Sequence, residues 1–181
     1  MNRPEPALAL WRLMVAGAAL TGVLLAAREY DVWWTALSQL ANLAVAGSFA
    51  VLAVTGARAG WLRGCLASTM LLVSTAYLPL ANGNLTQAWS LLEHVVTPTL
   101  VLVDFVVVAP GPLARWHPPS WLVPPAAYLG WYVVSDLRVY DALDPGRTGV
   151  FVAQVALLTG LVLGLGHALA GLGAARQDDE A

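Results

Sequence analysis

Thr35 and His94 are the two side chains in this sequence whose chemistry fits together best. A threonine hydroxyl is a weak nucleophile until a base removes its proton as it attacks. A neutral histidine supplies such a base at physiological pH. The pair suits acyl transfer: attack on a carbonyl carbon, with the imidazole later protonating the leaving group. Plainer uses compete. Threonines in apolar helices commonly bond back to their own backbone, and a buried histidine commonly bridges two helices. Spacing leaves both uses open.

His94 belongs to the stretch Leu91–Pro110, which also holds Thr97 and Asp104. The three are spaced i, i+3, i+10 and fall on one face of a helix. Ionisable groups inside so apolar a stretch are costly, so something polar is expected opposite them. At 1.5 Å per residue Asp104 lies about 15 Å along the helix from His94, too far to orient the imidazole. Its expected partner is Asn42, and a structural role is favoured over a place on a cavity floor. Glu93 falls on another face and reads as a solvated rim charge. Thr35, Ser38 and Asn42 recur at i, i+3, i+7, again one face of a helix. Tyr128, Tyr132 and Ser135 recur at i, i+4, i+7, and Ser38, Tyr128 or Tyr140 could donate to an oxyanion.

Composition specifies what holds these residues. Of 181 residues, 59% are hydrophobic and only 11% charged, with a mean hydropathy of +0.68. A soluble domain carries roughly 25% charged residues, so an all-α integral membrane protein is expected. Six apolar stretches, about 7–27, 34–56, 61–82, 89–110, 121–137 and 149–174, each approach the roughly 20 residues that cross a hydrocarbon core. They use most of the chain, so one membrane domain spanning 1–181 is expected, a six-helix bundle.

All nine cationic residues are arginine. With the N-terminus inside, Arg3, Arg12, Arg58, Arg63, Arg115 and Arg176 lie inside and Arg28, Arg138 and Arg147 outside. Six against three favours an N-in, C-in, multi-pass protein of the cell membrane. Arg12 is expected to snorkel to the headgroups, and Trp33-Trp34 to anchor the outer interface. Gly160-x-x-x-Gly164 should allow close helix packing. Ser68, Thr75 and Asn82 form a thin polar seam. Asn84-Leu85-Thr86 matches a glycosylation sequon.

Several classes are excluded. Cys65 is the only cysteine, which rules out an internal disulfide. The net charge of −2 offers no basic patch for nucleic acid. His117 and His167 have no ligand-spaced neighbours, so neither a metal nor another cofactor is expected. His94 and His167 would sit toward opposite faces, unsuited to a shared haem.

The segments WWTALSQLANLAVA, EHVVTPTLVLVDF, WLVPPAAYLGWYV and VYDALDPGRTG occur in this order. Together they resemble the FAR-17a/AIG-like family, the androgen-induced-gene and androgen-dependent TFPI-regulating proteins with their bacterial six-helix relatives. The similarity covers about residues 28–160. It implies a membrane-embedded threonine hydrolase that cleaves fatty acid esters of hydroxy fatty acids, with Thr35 as nucleophile and His94 as base. Ser38 stands where the vertebrate members have an aspartate. A membrane lipid or acyl ester is then the expected substrate, in a bacterial plasma membrane. The alternative is a lipid- or small-molecule-binding or transport protein in which His94 and Asp104 share a polar cavity.

Overall fold

A computed structural model describes residues 5–81, 83–108 and 113–179, and among them every regular element is helical. Helix α1 spans Pro6–Glu29, α2 Leu37–Thr55 and α3 Gly60–Ala81. Helix α4 runs over Ala88–Val107, with a single π-helical segment at Leu92–Val96. Helix α5 spans Val123–Val134 and α6 spans Thr148–Asp179. Asn82 and the loop 109–112 lie outside the described residues.

Four of these helices are long and apolar enough to cross a membrane: α1, α2, α4, and α6 over Thr148–Ala174. The expected fifth span is shorter than its apolar run, with 12 residues in α5. A helix-stop motif ends it. Asp136 takes a left-handed φ of 48°, while Leu137 N–H donates to Tyr132 O at 3.0 Å and Asp136 N–H to Val133 O at 3.2 Å. These are the two bonds of a Schellman closure, in which a short polar residue tolerates φ > 0. A short helix at His117–Ser120 precedes α5.

The core forms where α1, α2, α3 and α4 meet, around Val15, Val45, Phe49, Met70, Val101 and Phe105. Trp121, fully buried, plugs the gap between α3, α4 and α6. It fits because residue 64 is glycine: a Cβ there would sit 2.2 Å from the indole. Gly160 and Gly164, expected to pack closely, instead face open space. On α6 it is Gly166 that packs closely, against Trp121 and Pro118.

Two arginines also depart from expectation. Arg12 does not snorkel outward; it is fully buried and donates to Leu52 O and Ala57 O, each at 2.9 Å. Arg63, counted with the inner surface charges, is equally buried and donates to Arg58 O at 3.1 Å and Val108 O at 2.7 Å. Leu52 O also keeps its helical donor, Gly56 N–H, whereas Ala57 O and Val108 O lie past the last turns of α2 and α4 and accept from the two guanidinium groups.

Candidate active site

Local chemistry builds the site around His94. The π turn sends Thr97 N–H to Leu92 O, one residue beyond the helical partner Glu93 O. Pro98 has no N–H, which deprives His94 O of its usual donor as well. Neighbouring helices replace both bonds. Ser74 Oγ on α3 donates to His94 O at 2.7 Å, and Asn42 Nδ2 on α2 reaches Glu93 O at 3.5 Å and Ser38 O at 2.9 Å. Asn42 is therefore a partner of the π turn and not, as expected from sequence, of Asp104.

Asp104 is met from other directions. Its carboxylate accepts Arg63 Nε at 2.6 Å and Trp11 Nε1 at 3.2 Å, with Arg12 Nε 3.7 Å away. Its backbone carbonyl also accepts from Arg63. All three charged side chains are fully buried. Asp104 thus joins α1, α3 and α4 in an ion-pair network. It does not line a cavity with His94.

A cavity of about 480 Å³ opens beside the N-terminal end of α4, within the roughly 300–1,000 Å³ common for small-ligand sites. Its walls are mostly apolar, and its polar lining includes Thr35, Ser38, Gln39, His94, Tyr128 and Tyr140. Five of the eight expected site residues meet here. Asn42, Thr97 and Asp104 do not line it, although the first and last have the roles just described. Thr97 is buried with its hydroxyl unpartnered.

Thr35 sits in a 3-10 turn, Trp33–Thr35, and not on α2. Ala36 is extended, at φ −91° and ψ 144°, so the helical register expected for Thr35, Ser38 and Asn42 holds only from Ser38 onward. The Thr35 hydroxyl donates to Val32 O at 2.9 Å, and its carbonyl accepts Tyr128 OH at 2.8 Å. Thr35 and His94 therefore share a cavity without a hydrogen bond between them. No family model, curated protein or solved structure matches this chain.

The imidazole of His94 is stacked on the Tyr77 ring, centroids 3.5 Å apart and planes 11° apart, and its Nδ1 has no partner. Across the cavity Tyr140 OH accepts Leu37 N–H at 3.1 Å. Burial pushes this phenol up to about 12, so at neutral pH it keeps its proton and remains a donor.

Glu93 corrects another expectation. It is no rim charge: the side chain is 0% exposed and accepts Gln39 Nε2 at 2.9 Å, with its other oxygen unpartnered. The π turn accounts for this, because it lets consecutive residues Glu93 and His94 both turn inward, Glu93 toward α1 and α2 and His94 toward α3. Sequence reading missed Glu93, Gln39, Tyr77 and Ser74. One signal was present: a proline four residues after His94 announces a freed carbonyl that needs an outside donor.

Proposed function

We propose that the chain is a six-crossing, N-in, C-in protein of the cell membrane that hydrolyses lipid esters, with Thr35 as nucleophile and His94 as base. The observation that carries the reading is that Thr35 and His94 line one largely apolar cavity, with the buried Nδ1 of His94 left without a hydrogen-bond partner. An acyl chain suits such walls. The FAR-17a/AIG-like resemblance assigns the same two residues their roles.

In this reading, the Thr35 hydroxyl leaves Val32 O to meet the base. Its oxygen attacks the ester carbonyl carbon as His94 takes the proton. Collapse of the tetrahedral intermediate breaks the bond to the leaving alcohol, which receives that proton from His94. Water then attacks the acyl-threonine, passes a proton to His94, and releases the fatty acid as Thr35 regains its own. Tyr140 is the oxyanion donor best suited by its state, since its oxygen already accepts Leu37 N–H and its own proton remains to give.

The test is labelling by a long-chain alkyl fluorophosphonate in detergent, followed by turnover of long-chain acyl esters. Wild type should label, and Thr35→Ala and His94→Ala should each lose more than about 100-fold in rate while melting near the wild-type temperature. Labelling that persists in Thr35→Ala would overturn the assignment.

A further inference from the structure

We infer that Tyr77 is the positioning residue of the base: its ring, stacked on His94 and tethered at its hydroxyl, holds the imidazole plane and stabilises the charge that forms there. The inference rests on the reading of His94 as base. In Ser-His-Asp sites a carboxylate performs this task. Here neither acid is placed for it: Glu93 turns toward α1 and α2, away from the α3 side on which the imidazole is stacked. Asp104 is bound to Arg63 and Trp11, and Glu93 accepts the amide of Gln39.

What holds the ring is α3, which grips His94 twice. Ser74 Oγ takes the backbone carbonyl of His94, and Tyr77, one turn further on, covers the imidazole face at 3.5 Å. Tyr77 is itself fixed. Its hydroxyl oxygen accepts Ser90 Oγ at 2.9 Å and Asn84 N–H at 3.2 Å. The chain passes close over its ring at Gly83, where a Cβ would lie 2.2 Å from it. Any residue but glycine there would push the phenol out of the stack.

Face-on stacking has a chemical consequence that an edge-on carboxylate lacks. It fixes the plane of the imidazole while leaving Nδ1, which is unpartnered, for proton transfer; the ring also bonds the backbone of Val73. When the base accepts the proton of Thr35, the imidazolium lies against the electron-rich face of a phenol, a favourable cation–π arrangement. Tyr77 would therefore act on the transition state and not on ester binding.

Rates of Thr35 acylation and ester turnover should be compared for wild type, Tyr77→Phe and Tyr77→Leu, with His94 ring resonances recorded by NMR on histidine-labelled protein. Tyr77→Leu should lower kcat about tenfold or more with KM little changed, and its His94 ring protons should move downfield as the ring current is lost. Tyr77→Phe, which keeps the face, should stay within about threefold of wild type and retain the shifted resonances. If Tyr77→Leu does not fold, Tyr77→Met fills the space without an aromatic face. A folded non-aromatic variant with the wild-type kcat overturns the role of Tyr77, as does equal impairment of the phenylalanine variant. Wild-type labelling that does not depend on His94 overturns the base assignment itself, and the two failures are thereby distinct.

Discussion

The two ends of α4 carry similar groups and solve the same problem in opposite ways. At the C-terminal end, Asp104 is surrounded by a surplus of donors: two guanidinium groups and an indole converge on one carboxylate, and Arg12 Nε and Nη2 are left over. At the N-terminal end acceptors are in surplus. Oxygens of Glu93, Gln39 and Asn42 and Nδ1 of His94 are all buried without partners, and Gln39 and His94 line the cavity. Most buried polar groups in native structures are paired, and an acceptor left unpaired beside a cavity is open to a donor from outside the chain. The C-terminal end fastens the bundle; the N-terminal end borders the cavity.

Removing the same charge at both ends tests this contrast, and the largest effect is expected at Asp104. Asp104→Asn leaves Arg12 and Arg63 buried against a neutral group, a change of the kind that costs about 3–5 kcal/mol. The variant should unfold or melt far below wild type in detergent. Glu93→Gln removes a carboxylate that faces no cation and keeps an acceptor for Gln39, so it should cost about 1 kcal/mol or less. Equal destabilisation by the two substitutions would erase the distinction between the ends.

A smaller effect tests backbone repair at the N-terminal end. Ser74→Ala removes the donor that replaces the N–H missing at Pro98, leaving His94 O unsatisfied at a cost of about 1 kcal/mol. Pro98→Ala restores a backbone N–H to that carbonyl. The double variant should therefore recover most of the loss, giving a favourable coupling in a double-mutant cycle of melting free energies. Additive effects would mean that Ser74 does not stand in for the proline.

The contrast between the ends was only half legible in the sequence. Apolar run lengths announced the helices, and polar residues inside them announced a buried seam, because both signals are local. Pairing is not local. Asp104 could be recognised as needing a partner, but Arg12 and Arg63 read as surface charges because each lies near the end of an apolar run, where snorkelling is the usual outcome. Glu93 was misplaced for a different reason: a π turn shifts the register within α4, and a face drawn with uniform helical spacing cannot include it. Thr35 was assigned to the helix its polar spacing suggested, but the turn over Trp33–Thr35 ends before α2 begins. Thr35, Ser38, His94, Tyr128 and Tyr140 reach one cavity all the same.

An exposed carboxylate–arginine pair supplies the third member of the comparison and the smallest effect. Asp144 accepts Gly146 N–H at 2.9 Å and is paired with Arg138, which also meets Asp136 at 2.7 Å. The backbone N–H of Gly146, and then Arg138, hold the Asp144 carboxyl below the usual aspartate range. A carboxyl depressed in the folded state contributes stability that is fully present above its unfolded value, about 3.9. That contribution fades as pH falls through the lower folded value. Neutral-pH melting should therefore be nearly indifferent to Asp144→Asn, since an exposed pair is screened by water. Below about pH 4 the wild-type melting temperature should fall slightly more steeply than that of the variant. Parallel curves would show that the loop pair adds nothing, whereas a large loss at neutral pH would place Asp144 with Asp104 among the groups that hold the fold.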